Sequence, residues 1–133
     1  DIADGLPNIA DNSCDAVYCS HVLEHLSLTD FKKALQNTHR ILRPGGTFRL
    51  VVPDIEYYAR QYIIRKENGD SDASITFVRD TLLGQENRPR GLKGLLESFF
   101  GNSHHRWMWD YASLSKELAQ TGFSQIRRAT FND

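Results

Sequence analysis

Two histidines and a glutamate lie close together near the start of the chain, in the segment YCSHVLEHL. His21, Glu24 and His25 form the pattern H-x-x-E-H, which is also the signature of the inverted zinc proteases. Such a zinc site needs both histidines one turn apart within a helix, together with a carboxylate from elsewhere in the chain. Metal-dependent hydrolysis is therefore one hypothesis, and the elements around the motif must be compared with that requirement.

The residues on either side of the motif predict a strand, a helix and a second strand. Residues 15–20, DAVYCS, are typical of a short buried strand. Ser27 or Thr29 can cap a helix that Pro44-Gly45-Gly46 stops, and residues 47–52, TFRLVV, predict the second strand. The apolar face of this helix is expected at Phe31, Ala34, Leu35, Thr38, Ile41 and Leu42.

Strand, helix and strand with short connections form a βαβ unit, which implies a parallel pair of strands. Ligands of such sheets bind at the carboxyl ends of the strands, here Ser20-His21 and Pro53-Asp54. Because His21 directly follows a strand, it is not expected to share a helix with His25, and a zinc hydrolase is the least favoured hypothesis. We expect no metal site here, and we expect Glu24 and His25 to fasten the turn by side-chain hydrogen bonds.

The rest of the chain is mostly helical. Helices are predicted at 55–69, 74–84, 92–101 and 112–123, each ending at or next to a glycine, and a last strand is predicted at 124–131. The segment NSHHRWMWDY forms a histidine-rich and aromatic loop before the last helix. We predict a single domain over residues 1–133, with a helical insertion at about 55–112.

Composition limits the classes of function. The 133 residues are 40% hydrophobic and 25% charged, as in ordinary globular domains, and the net charge is −1. This balance gives no electrostatic reason for general nucleic-acid binding or for binding to a membrane. The basic stretch at 88–94 is interpreted as a solvated loop. Cys14 and Cys19 are too few for a disulfide scaffold, and we expect a reduced, cytoplasmic protein.

Two motifs at a defined spacing resemble a known family. The pattern D-x-V-x-x-x-H-x-x-E-H-L, from Asp15, and the pattern R-x-L-R-P-G-G, from Arg40, resemble class I S-adenosylmethionine-dependent methyltransferases. The nearest subgroup is the type 11-like enzymes linked to polysaccharide biosynthesis. The resemblance implies an α/β, Rossmann-like fold with a mostly parallel seven-stranded sheet, in which residues 15–20, 47–52 and 124–131 correspond to strands four, five and six.

The same resemblance implies a cofactor, S-adenosylmethionine, and a set of residues that contact it. Asp1 corresponds to the acid that accepts a hydrogen bond from the adenine amino group, and the backbone N–H of Ile2 would lie near the adenine ring. Ser20 and His21 correspond to positions beside the methionine part and the departing methyl group. The implied acceptor is a small molecule or a saccharide.

Three histidines are candidate bases for the acceptor, because imidazole titrates near neutral pH. His21 is the first candidate, and His104 and His105 in the aromatic loop are weaker ones. A structural role is equally consistent with each of them.

The aromatic residues at alternate positions in the same loop also have two interpretations. Trp107, Trp109 and Tyr111 can form a wall for a sugar acceptor or pack in the core, and we favour packing.

Parts of the family pattern do not occur in this sequence. There is no G-x-G-x-G loop after a strand, and no acid corresponds to the one that holds the ribose. We therefore expect a truncated fold, without the first strands and the seventh. The strand at 15–20 would then have a bare edge, which predicts a homo-oligomer. The alternative to an enzyme is a non-catalytic remnant that acts as an interaction module.

Overall fold

The computed structural model describes residues 2–84 and 104–130. Along the chain, these ranges contain two strands, a short 3-10 turn and four helices: β1 (Cys14–Ser20), the turn (Leu23–His25), α1 (Leu28–Ile41), β2 (Leu42–Val51), α2 (Ile55–Glu67), α3 (Ala73–Asp80) and α4 (Tyr111–Thr121). The helix predicted at 92–101 and the basic stretch at 88–94 lie outside the described residues. In the two described ranges, no helix combines the length and apolar character that crossing a bilayer requires.

β1 and β2 form a parallel pair, as the βαβ pattern predicts. The register runs from Ala16 opposite Thr47 to Ser20 opposite Val51, and α1 connects the two strands. The carboxyl ends of both strands therefore lie at the same edge of the sheet. This α/β arrangement with a small parallel sheet fits a Rossmann-like fold.

β2 begins earlier than predicted, at Leu42 instead of Thr47. The register jumps between Cys14 opposite Leu42 and Ala16 opposite Thr47, so the Pro-Gly-Gly segment forms a bulge instead of a helix stop. Gly45 has a φ of +77°, and a Cβ on Gly46 would lie 2.9 Å from the carbonyl oxygen of Arg43. The bulge therefore requires glycine at both positions.

The core forms where α1 packs on the sheet and on α4. Ser27 caps α1, and its side chain accepts a hydrogen bond from the backbone N–H of Asp30. The predicted apolar face of α1 is confirmed except for Leu42, which is also buried but is the first residue of β2. Its buried members are Phe31, Ala34, Leu35, Thr38 and Ile41. Phe31 is fully buried against the indole of Trp109, with ring centroids 4.5 Å apart.

The predicted strand at 124–131 is wrong for the residues that the structure describes. Residues 124–130 contain no strand, and Phe131 lies outside the described ranges. Gln125 has a φ of +54°, which interrupts the extended backbone that pairing requires. Ile126 still packs against the core, and the guanidinium of Arg128 lies 4.9 Å from the ring centroid of Tyr111. The described part of this segment thus packs through individual side chains and is not in a hydrogen-bonded ladder.

The C-terminal end of α4 provides a stability test. Gly122 ends the helix with a φ of +110°, and an added Cβ would lie 3.0 Å from Nε2 of His39. Gly69 is a matched control, because its φ is +79° and an added Cβ would meet nothing within 4 Å in the described part of the chain. We expect Gly69→Ala to lower the free energy of unfolding by about 1 kcal/mol, because alanine disfavours the left-handed backbone conformation. Gly122→Ala should cost more, since His39 must also shift.

Urea denaturation of the two variants gives both free energies of unfolding. An equal loss for Gly122→Ala and Gly69→Ala would show that the contact with His39 has no energetic consequence.

Candidate functional site

The site begins where β1 ends. Ser20 is the last residue of β1, and the backbone N–H of His21 continues the ladder by donating to the carbonyl oxygen of Val51 at 3.0 Å. His21 then adopts a φ of +53°, a left-handed conformation that is uncommon for a residue other than glycine. This conformation turns the chain away from the sheet, and the side chain of His21 stays 62% exposed. An exposed imidazole therefore lies at the carboxyl end of β1, as the sequence predicts.

Glu24 is a charged residue in the interior. Its side chain is 1% exposed, and its Oε1 lies 3.2 Å from Nδ1 of His21. Its other carboxylate oxygen, Oε2, is buried and has no hydrogen-bond partner among the described residues. Burying a carboxylate is costly unless partners compensate for lost water, so an unpaired buried oxygen requires an explanation.

The backbone of Glu24 connects the turn after β1 to the aromatic loop. Its carbonyl oxygen accepts hydrogen bonds from the N–H groups of Arg106, at 2.8 Å, and Trp107, at 3.1 Å. The loop is also joined to the edge of the sheet, because the N–H of Ile55 donates to the carbonyl oxygen of Trp109 at 3.0 Å. These bonds bring residues that are remote in sequence to the carboxyl ends of the two strands.

Two further histidines lie close together where the turn after β1 contacts the aromatic loop. Nδ1 of His25 lies 3.1 Å from the carbonyl oxygen of His104, and Nδ1 of His105 lies 2.7 Å from the carbonyl oxygen of Thr81. The ring centroids of His25 and His105 are 5.3 Å apart. One ligand atom from each of Glu24, His25 and His105 lies within 4.8 Å of the others. The structure thus brings together one carboxylate and two imidazoles.

The sequence identified only part of this cluster. The predicted hydrogen bond that fastens the turn through Glu24 is present, whereas the ring of His25 bonds to a different segment, the loop at His104. Of the three candidate bases, His21 is hydrogen-bonded to Glu24, His105 is in the cluster, and His104 is exposed and contributes its carbonyl oxygen. Glu24 and His25 were not predicted as site residues. Their identity is visible in the H-x-x-E-H pattern, but their pairing with His105 depends on the fold.

The inverted zinc-protease geometry requires His21 and His25 on one helix, and they are not so arranged. The 3-10 turn covers only Leu23–His25, and His21 lies before it. The ring of His21 bonds to Glu24 itself.

The predicted adenine contacts are only partly described. Asp1 lies outside the described residues. Ile2 packs against the core, and its carbonyl oxygen accepts a hydrogen bond from Nδ2 of Asn37 at 2.7 Å. The start of the chain is thereby held against α1, while the contacts of Asp1 and Ile2 with adenine stay predictions.

The aromatic residues of the loop divide into two groups. Trp109 is buried in the core at 5% exposure, which agrees with the favoured packing interpretation. Trp107 and Tyr111 remain 40% and 37% exposed. Trp107, whose backbone N–H donates to Glu24, therefore leaves a partly exposed ring next to the turn after β1, whereas the ring of Tyr111 lies against the guanidinium of Arg128.

The thiol of Cys19 lies in the same strand end. Burial raises the pKa of Cys19, and the negative charge of Glu24 raises it further. Cys14, by contrast, is partly exposed at the other end of β1. Both observations agree with the interpretation of Cys19 as a small packing residue.

Alkylation with iodoacetamide checks this difference. Because the thiolate is the reactive form, we expect Cys14 to be modified in the native protein at neutral pH and Cys19 to be largely protected. Peptide mass spectrometry measures both sites, and denaturation in urea before alkylation provides the control in which both should react. Equal rates at the two cysteines of the native protein would contradict the described burial.

Comparison with known proteins adds one finding. Residues 1–50 match the model of a family described as a methyltransferase domain. The matched range includes β1, the 3-10 turn, α1 and all but the last residue of β2. No curated protein and no solved structure matches the chain. Residues 1–50 are thus similar to a methyltransferase domain, a family that generally uses S-adenosylmethionine.

Proposed function

We propose that this chain takes part in methyl transfer from S-adenosylmethionine to a small-molecule or saccharide acceptor, at the carboxyl edge of β1 and β2. The observation that carries the proposal is the exposed imidazole of His21 at the end of β1, within the range that matches the methyltransferase family. Parallel sheets bind ligands at this edge, and β2 ends beside it at Val51.

In this proposal, His21 is the base. A carboxylate oxygen accepts hydrogen bonds, so the contact between Glu24 Oε1 and His21 Nδ1 leaves Nε2 of His21 to accept a proton from the acceptor. Glu24 orients the ring, as the third group does in other base-and-orienter pairs. Its burial restricts the carboxylate to one geometry, whereas the exposure of His21 leaves the imidazole accessible to an acceptor.

The other residues of the proposed site would contact the cofactor and the acceptor. Ser20 and His21 would contact the methionine part of the cofactor, and Asp1 and Ile2 the adenine. Methyl transfer from a sulfonium is an in-line displacement, in which alignment and exclusion of water contribute much of the rate. The exposed ring of Trp107 offers a wall for a saccharide-like acceptor.

Isothermal titration of S-adenosylmethionine and of S-adenosylhomocysteine into the chain tests cofactor binding. Because this sequence lacks a G-x-G-x-G loop and the acid that holds the ribose, we expect a single chain to bind both molecules weakly, and micromolar affinity would indicate that a second copy completes the site. The absence of any heat at millimolar ligand would contradict a cofactor site in this chain.

The role of His21 is tested separately, with His21→Asn and the control variant His104→Ala, in a screen of saccharide and small hydroxyl acceptors. Loss of a general base typically lowers the rate by about 10²- to 10⁴-fold. We expect this loss for His21→Asn, measured at saturating S-adenosylmethionine because His21 would also contact the cofactor. An unchanged rate with His21→Asn would remove His21 from the mechanism.

A second candidate function is interaction with other polypeptides, and a specific observation favours it. In the described ranges β1 pairs with β2 alone, and the side chain of Tyr18 in β1 is 66% exposed. An open strand edge with an exposed aromatic residue favours pairing with another chain. We propose that copies of this chain associate through the outer edge of β1.

Size-exclusion chromatography with light scattering at micromolar concentration measures this association. We expect a dimer for the wild-type chain and a monomer for Tyr18→Lys, because a lysine at a strand edge opposes pairing. Tyr57→Lys is the matched control, since Tyr57 is 59% exposed and lies on the helix α2 instead of on β1. A monomeric wild-type chain, or equal effects of the two variants, would exclude the β1 edge as the contact.

A further inference from the structure

We propose that Glu24, His25 and His105 form a binding site for a divalent transition-metal ion, with Zn²⁺ as the representative ion. The ligand atoms of these three side chains already lie within 4.8 Å of one another. The proposal departs from the sequence-based expectation of no metal. It also differs from the H-x-x-E-H protease arrangement, because it uses His105 in place of His21.

The hydrogen bonds of the two histidines favour metal binding. A backbone carbonyl oxygen only accepts, so Nδ1 of His25 must donate to His104 and Nδ1 of His105 must donate to Thr81. Each neutral ring then carries its free lone pair on Nε2. Metal-binding histidines characteristically donate their second ring nitrogen to a carbonyl or carboxylate, which fixes the tautomer and the orientation of the ring. Both histidines of the cluster have this arrangement before any ion binds.

The position of His105 is further fixed by its backbone. Its N–H donates to the carbonyl oxygen of Leu82 at 3.2 Å, next to the carbonyl of Thr81 that its ring contacts. Leu82 adopts a φ of +52°, a left-handed conformation that is unfavourable for leucine. The strained residue thus directly follows the carbonyl group that orients the His105 ring.

The buried carboxylate of Glu24 provides an independent observation. Its side chain is 1% exposed, and Oε2 has no hydrogen-bond partner in the part of the chain that the structure describes. Oε1 is engaged by His21, so one oxygen remains for a ligand. A cation at the cluster would compensate for the burial of this charge, which otherwise lacks a partner on one side.

The types of ligand indicate which ion fits. Two imidazoles and one carboxylate suit Zn²⁺ and similar transition metals, whereas Mg²⁺ and Ca²⁺ prefer sites made of oxygen atoms. Ligands about 2.1 Å from a tetrahedral zinc ion are about 3.4 Å apart, so the side chains must move closer when the ion binds. Three protein ligands leave a fourth position open for water or for an acceptor oxygen.

Titration of ZnCl₂ into metal-free protein, without S-adenosylmethionine, measures the site directly. The Cys14→Ser background prevents a partly exposed thiol from contributing. We expect one ion per chain, and ligand-field absorption when Co²⁺ replaces Zn²⁺. His25→Ala and His105→Ala should each weaken binding by roughly 100-fold or more, because each removes a direct ligand.

Two control variants make the assignment specific. His104→Ala removes a neighbouring imidazole but keeps the carbonyl group that His25 uses, so it should retain zinc affinity. His21→Ala should also retain affinity, whereas a protease-like H-x-x-E-H site would lose it. Zinc binding that survives in the double variant of His25 and His105, or the lack of stoichiometric binding in the wild-type chain, would overturn the proposal.

Loss of binding must be separated from loss of structure. His105→Gln keeps a side-chain donor for the Thr81 carbonyl, and circular dichroism with thermal unfolding shows whether each variant folds. A folded His105→Gln chain that binds zinc as tightly as wild type would also overturn the proposal. Because zinc binding is measured without cofactor or acceptor, its outcome is independent of the proposed methyl transfer.

Discussion

Parallel pairing of β1 with β2 determines where every other part of the candidate site lies. Two parallel strands must be joined by a crossover, and α1 provides it while burying Phe31 and Leu35 against the sheet. The pairing aligns the end of β1 with the end of β2, so that the turn after β1 and the segment after β2 leave from the same edge. The aromatic loop returns to that edge through the bridge between Asp54 and Trp109. Packing of Trp109 on Phe31 then joins the loop to the core.

Glu24 contributes both to the structure of the site and to its proposed chemistry. Its backbone carbonyl holds the aromatic loop, one carboxylate oxygen contacts His21, and the other oxygen is buried without a partner among the described residues. A carboxylate in this position orients whatever base or cation lies next to it, because the low polarity of the interior strengthens its interactions. The proposed base and the proposed metal ligands are therefore two uses of the same buried group, one on each oxygen.

Much of the βαβ unit was predictable from the sequence, because its signals are local. The face of α1, the cap at Ser27 and the position of His21 after a strand all follow from spacing and residue type. The bulge in β2 was not predictable, since Pro-Gly-Gly is equally typical of a helix stop. The strand at 124–131 was predicted from one segment alone, but a strand also needs a pairing partner, and Gln125, with a φ of +54°, breaks the extended backbone.

The cluster of Glu24, His25 and His105 could not be predicted from sequence patterns, for a different reason. Its members come from segments separated by most of the chain, and only the tertiary fold brings them together. The pattern H-x-x-E-H pointed to the right glutamate and to one of the two histidines. Its implied partner, His21, bonds to Glu24 Oε1 and is not in the cluster. The spacing of a short motif therefore located the site but did not determine its ligands.

The bridge between Asp54 and Trp109 has a consequence for how this chain can vary. The chain leaves the sheet after Asp54 and is back beside it at Trp109, so these two residues close a loop on the βαβ unit. The entropic cost of closing a loop grows only with the logarithm of its length, by about 0.6 kcal/mol of free energy for each doubling. Insertions and deletions there should therefore cost the sheet little, provided that both ends of the bridge are kept. The molecule can thus change the surface that it presents beside His21 while the strands that hold His21 remain the same.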